Sequence, residues 1–235
     1  MLGLVCYRDG REESGVRTLG GVRFCAVRVA RGTGLRAALS ARRAAKYLRD
    51  RGVRCAVFPP GYPFARAFAA RGIAPPSGQP LRACKAAEIV LCAIAQLHLP
   101  PSARIALISS RPSGALERAA LSLVRPVRYL TLCTPSGERL GRMLRWDCGV
   151  SAHIAARDEM LCADLAVSFD DAAPCCACPV LPLADEALRV AYRAPLPEGG
   201  AAWDTGQLLF ALFSAGALRA QDIAVEAVEF PPQTR

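Results

Sequence analysis

From Arg104 to Val124 the chain reads RIALISSRPSGALERAALSLV, and this stretch constrains the fold more than any other. Arg104 to Ser109 is a short apolar run closed by turn residues, which predicts a buried strand. Ser113 to Val124 carries its apolar residues at helical spacing. A strand, a tight turn and a helix in that order form a βα unit, and the flanking sequence repeats the alternation. Before it come a helix over Leu35–Arg51 closed by Gly52, a strand over Val53–Phe58, a short helix over Tyr62–Arg71, a brief strand at Ile73-Ala74 and a helix over Leu81–Leu97. After it come a strand over Arg128–Cys133, a helix over Gly137–Trp146 and strands over Val150–Ala155 and Ala163–Phe169. Strand Leu188–Tyr192, helix Thr205–Ala217 and strand Val225–Phe230 finish the chain. The opening residues suggest a hairpin, Gly3–Tyr7 with Val22–Val29, around RDGREESG.

Alternating strands and helices specify an α/β fold, a mainly parallel, doubly wound sheet with helices on both faces. Right-handed crossovers gather the loops at the carboxyl ends of the strands, where ligands bind in such sheets. Pro59–Pro63, Ser109–Ser113, Thr134–Gly137 and Asp170–Cys178 are expected on that edge, with Arg104–Val124 at the centre of the sheet. Apolar residues make up 52% of the 235, too many for a disordered chain. The longest apolar candidates, Ile89–Leu99 and Leu208–Leu218, are too short to span a bilayer. The opening MLGLVCYRDG has no basic leader, so a cytoplasmic location is expected. Of the 11 cysteines, Cys25, Cys55, Cys92, Cys133 and Cys162 stand alone in apolar segments, where they act as small hydrophobes.

Three segments, RIALISSRPSGALERAAL, RYLTLCTPSGERLGRML and EMLCADLAVSFDD, carry a resemblance within residues 104–171. Together they resemble the NAD(P)-binding Rossmann domain of shikimate dehydrogenases and glutamyl-tRNA reductases. The helix LRACKAAEIVLCAIAQL stands where a helix leads into that domain. The resemblance implies a dinucleotide site in the turn after the first strand, with the G-x-G-x-x-G positions falling on Ser109, Arg111 and Gly114. Gly114 suits the third role, close packing of helix on sheet, while Ser109 turns the chain with strain. Arg111 stands where a missing side chain normally admits pyrophosphate. Its guanidinium either fills that site, binds a lone phosphate or carboxylate beside Ser110 and Ser113, or is a solvated turn residue. At the end of the second strand the resemblance implies an acid for the ribose. Here Thr134, Ser136 and Arg139 match the NADP-type pattern loosely, or else form a Pro-Ser-Gly turn that starts a helix.

The densest local cluster is Cys175, Cys176 and Cys178. Thiolates can hold zinc or exchange disulfides, with Cys162 or His153 as a further ligand, but adjacent cysteines chelate one ion poorly and no second pair exists. No metal site is therefore expected. Lys85, His98 and His153 are read as ordinary helix and strand residues, Lys85 as a solvated one. No Walker A loop, H-E-x-x-H or G-x-S-x-G occurs.

Charge divides the chain unevenly. Residues 1–100 hold 15 Arg and 2 Lys against 5 acids, whereas residues 101–235 hold 13 Arg against 15 acids. This suggests a basic N-terminal α/β portion over 1–100 and a Rossmann-like portion over 101–235, or one continuous sheet through both. No arginine run is interleaved with aromatics, so a nucleic-acid surface is not expected. The combined expectation is a Rossmann-like protein with an eroded phosphate loop, without a cofactor, binding a small anionic ligand or a protein partner. The alternative is a divergent oxidoreductase using NADP or NAD.

Overall fold

The structure, a computed structural model, describes residues 1–8, 14–156, 159–171 and 176–230. It divides into two compact units. The first comprises Met1–Gly78 with Ala194–Ile223, the second Gln79–Arg193 with Ala224–Arg235. The chain therefore passes between them three times, and the first passage falls after residue 78. Each unit has its own sheet.

In the first unit, β1 (Leu2–Tyr7), β2 (Gly15–Leu19), β3 (Val22–Val29) and β4 (Cys55–Val57) form a sheet in the order β2-β3-β1-β4. β1 runs parallel to both β3 and β4, and β2 runs antiparallel to β3. The expected hairpin of Gly3–Tyr7 with Val22–Val29 is thus corrected. Those strands are neighbours but parallel, and the hairpin joins β2 to β3. Its two-residue turn is Gly20-Gly21, with φ of 55° and 77°, between the paired Leu19 and Val22. A turn needing positive φ at both central residues favours two glycines. Residues 9–13, most of RDGREESG, lie outside the described set.

Side-chain alternation sends each strand's residues to two cores. Val5, Cys25, Val27 and Ala56 pack with Ala41, Ala45 and Leu48 of α1 (Leu35–Asp50) and with Phe68 of α2 (Ala65–Ala69). Leu4, Cys6, Phe24 and Val57 pack on the opposite side with Trp203 and with Leu208 and Leu212 of α7 (Thr205–Ser214, numbered along the whole chain). Trp203 Nε1 donates to the Val5 carbonyl at 2.8 Å. Helices thus cover both faces of this sheet.

The second unit opens with α3 (Gln79–Cys84) and α4 (Ala86–Gln96). The single expected helix is broken at Lys85, which caps α4 and is only 5% exposed. Its stem is buried, and its ammonium reaches Glu88 Oε1 at 2.6 Å. The expectation of a solvated lysine fails because a long stem can be buried while its charged end finds a partner. Arg82 is buried likewise, its Nε donating to the Leu183 carbonyl at 2.9 Å.

Then follow β5 (Arg104–Ile108), α5 (Gly114–Leu123), β6 (Tyr129–Cys133), α6 (Gly137–Cys148), β7 (His153–Ile154), β8 (Leu165–Ser168) and β9 (Val180–Pro182). These five strands are all parallel, in the order β7-β6-β5-β8-β9. The order advances from β5 to β7 on one side and from β8 to β9 on the other. That reversal is a Rossmann-like topology with its switch point between β5 and β8. Ile105, Leu107, Leu132 and Val167 pack against the buried sides of α4, α5 and α6. Ala106, Ile108 and Ala166 meet Ala155, Leu161 and the Cys176–Val180 segment instead. A separate antiparallel pair, β10 (Arg189–Arg193) with β11 (Ala224–Glu229), completes the unit, and α4 packs against both α5 and β11. This packing places α3 and α4 in the second unit. Pro59–Pro63 follows β4 of the first unit's sheet, whereas the other loops expected on one edge follow strands of the second unit's sheet. No helix among the described residues is long and apolar enough to cross a membrane.

Candidate functional site

The carboxyl edge of β5, β6 and β8 brings three loops together. Register fixes the central contact: Ile108 of β5 lies opposite Ser168 of β8. Two residues further along each chain, Ser110 meets Asp170. The Ser110 amide donates to Asp170 Oδ2 at 2.7 Å, and its hydroxyl donates to the same oxygen at 2.8 Å. Ser109 Oγ lies 3.0 Å from that oxygen and 2.7 Å from the Arg111 carbonyl, so its one proton is shared between two acceptors. Ser168 Oγ donates to the Asp170 carbonyl at 2.6 Å and holds the second loop in a turn.

The turn after β5 therefore contains an anion of the protein's own. In a phosphate-binding turn, free amides and the positive end of the following helix face the ligand. Here the first amide is committed to Asp170. The start of α5 is capped by Ser113, whose Oγ accepts from the Leu116 amide at 3.3 Å. Glu117 adds an acid to the first turn of that helix. Arg139, on α6, forms an ion pair with Glu117. Three of the expected ligand-binding groups, Ser110, Ser113 and Arg139, thus already have partners within the unit.

Arg111 is exposed. Ser109 is 4% exposed, and its φ is not positive. Among the described residues the one non-glycine with positive φ is His98, at 51°. The turn at Ser109 is closed by hydrogen bonds and needs no left-handed residue there. Gly114 also departs from its expected part. A Cβ there would meet only Arg118 Nη1, at 3.5 Å. The close approach of helix to sheet occurs at α6, where a Cβ on Gly141 would come within 2.9 Å of Ile154 Cδ1 and one on Gly137 within 3.1 Å of Ile154 Cγ2.

At the end of β6, Thr134 Oγ1 and Ser136 Oγ are shielded from solvent and make no hydrogen bond. Of the cysteine cluster, Cys175 lies outside the described residues. Cys176 Sγ lies 3.9 Å from the Cys178 carbonyl. Burial, with Cys176 beside it, pushes the Cys178 thiol up to about 12, which makes it a poor nucleophile and a poor metal ligand near neutral pH. Among the described residues no three His, Cys, Asp or Glu side chains group as a metal site.

Sequence reasoning passed over Asp170 as a loop anion because its partners are about 60 residues away. The signal was available in the strand order: when the first and fourth strands of such a sheet are neighbours, residues just beyond their ends face one another.

No protein-family model and no curated protein matches the chain. Solved structures to which it is similar include a shikimate 5-dehydrogenase-like protein, at 17% identity and a TM-score of 0.25, over 72% of this chain and 65% of that one. Another is the ornithine carbamoyltransferase from Pyrococcus furiosus, at 12% identity and a TM-score of 0.27, over 71% of this chain and 58% of that one. The chain thus spans less than two thirds of the length of either protein. Both likenesses are distant, and strand order and pairing carry the fold assignment: a Rossmann-like α/β unit joined to a second α/β unit.

Proposed function

We propose that this chain is a repurposed Rossmann-like protein, one that seats no dinucleotide and acts by binding a small anion or a protein partner. The observation that supports this reading is the Asp170 carboxylate in the turn after β5. A pyrophosphate brought to that turn would meet a fixed negative charge and an amide already in use. Arg111, in place of a glycine, adds bulk where the backbone would have to approach the ligand.

Thermal melting of the full chain with NADH, NADPH, AMP and inorganic phosphate tests this. Neither dinucleotide should raise the melting temperature, since a ligand that does not bind the native state cannot stabilise it. A rise that grows with NADPH concentration would overturn the proposal. The unpaired hydroxyls of Thr134 and Ser136 favour a second reading, a divergent NADP- or NAD-dependent oxidoreductase in which a ribose phosphate completes them. Under that reading the NADPH-induced rise is present and is lost in Thr134→Val.

A further inference from the structure

One face of the second unit's parallel sheet is covered by α4, α5 and α6. Ile89 and Val90 of α4, Leu116 and Leu123 of α5, and Leu140 and Leu144 of α6 belong to one core, and α5 packs against both of the other helices. With their apolar stripes turned to the sheet, the opposite sides of the three helices face solvent together. Each helix presents one large apolar side chain there: Leu91 and Leu121, each 37% exposed, and Trp146, 85% exposed. Exposed arginines stand beside them. Arg118 lies one turn before Leu121 and Arg125 just past the end of α5, while Arg142 lies one turn before Trp146, with Arg145 next to it. We propose that this three-helix face docks on an anionic lipid surface. The inference concerns that face alone and does not depend on the reading given for the turn after β5.

Charge complements such a surface. The acids on the three helices are Glu88, Glu117, Glu138 and Asp147. Glu88 is paired with Lys85, and Glu117 with Arg139, an ion pair that ties α5 to α6. Glu138 and Asp147 are then set against Arg118, Arg125, Arg142 and Arg145, so a positive excess remains. Ala155, Leu161 and Cys176, near the ends of the undescribed stretches within this unit, pack on the opposite face of the sheet. The tail after residue 230, PPQTR, has no acid. Basic residues held near an anionic leaflet are attracted to it.

The exposed groups favour lipid over other polyanions. An indole ring is apolar with one polar edge and settles at headgroup level. Arginine keeps its guanidinium with the phosphates while its stem lies along apolar surface. The three apolar side chains stand one to a helix, on helix axes about 8–10 Å apart, with arginines beside Leu121 and Trp146. A protein interface instead gathers its apolar groups into a core depleted of charge. Single-stranded nucleic acid stacks successive bases on several aromatic platforms, and the three helices hold one aromatic residue, Trp146. No helix among the described residues is long and apolar enough to cross a bilayer, so the face lies on the headgroups.

The test is co-sedimentation of the full chain with vesicles of equal parts phosphatidylserine and phosphatidylcholine, and with vesicles of phosphatidylcholine alone, at low ionic strength. The chain should bind the first and not the second, and added salt should release it. Trp146→Ala should weaken binding roughly tenfold, and Arg118→Gln and Arg142→Gln about fivefold each. Arg42→Gln, at an exposed arginine of the first unit, should leave it unchanged. All four positions are exposed, so melting temperatures without vesicles should match that of the parent chain. The second tryptophan, Trp203, is buried. A blue shift of emission on binding therefore belongs to Trp146 and should vanish in Trp146→Ala. Absence of binding to the anionic vesicles, an unshifted emission in the bound chain, or a loss in Arg42→Gln equal to that in Arg142→Gln overturns the inference. So does a single-stranded oligonucleotide, or polyglutamate as a stand-in for an acidic protein, that binds more tightly than the vesicles and loses affinity in the same variants.

Discussion

Gly114 and Gly141 show how one residue type can mean two different things. Gly114 stands in the place of a fingerprint glycine, yet open space surrounds its missing side chain apart from the flexible end of Arg118. Gly141 matches no motif, yet Ile154 would have to move for any Cβ to fit there. Gly114→Ala should therefore be neutral, or stabilising by up to about 1 kcal/mol through a less flexible unfolded chain. Gly141→Ala should destabilise by about 1–3 kcal/mol, since an extra methyl must displace a packed side chain. Urea midpoints of the two variants check the pair, and the opposite ranking would put the helix-to-sheet contact back at α5. A motif records which residue a position held in other proteins, while packing records what the position does here.

At the scale of elements, the pairing of β5 with β8 matters most, because it brings Asp170 to the turn that precedes α5. Asp170→Ala leaves the Ser110 amide and hydroxyl without their acceptor, while Ser109 keeps the Arg111 carbonyl. The expected loss is about 2 kcal/mol, within the range for exposing unmet hydrogen-bonding groups, and it should read out as a lower urea midpoint at unchanged slope. Inorganic phosphate should restore part of that loss in the variant and do nothing for the turn in the parent. The βα succession from β5 to α6 was legible from apolar periodicity, since short buried strands and one-sided helices leave distinct patterns. The parallel relation of β1 and β3 was not, because adjacency in sequence suggests a hairpin, and only the Gly20-Gly21 turn assigns the hairpin to β2 and β3. The broken helix at Lys85 escaped for a related reason: periodicity counts apolar positions and does not register a lysine stem inside.

For the whole molecule, buried thiols and phenols set a boundary at high pH. Burial raises Cys6, Cys25, Cys55, Cys178, Tyr62 and Tyr192 above their ordinary values. An unfolded cysteine loses its proton near 9, whereas Cys178 holds its proton to about 12. Between those values the unfolded chain binds fewer protons than the folded one, so stability must fall as pH rises. The contribution is fully present below about pH 9 and is lost progressively above it. Urea midpoints should be flat from about pH 7 to 8 and drop by pH 10, and a midpoint that rises over that interval would contradict the burial of these groups.

Both units also depend on the last part of the chain. The α7 face of the first sheet is covered only when residues 205–214 arrive, and β11, from residues 224–229, is the partner of β10 in the second unit. A ribosome releasing this protein residue by residue cannot complete either unit early. Leu4, Phe24 and Val57, made near the start, must wait for Leu208 and Leu212 before their side of the sheet is closed. Synthesis from one end to the other thus becomes a wait rather than a sequence of finished parts, and a nascent chain held at residue 193 should be more open to protease in its first 60 residues than in residues 104–168.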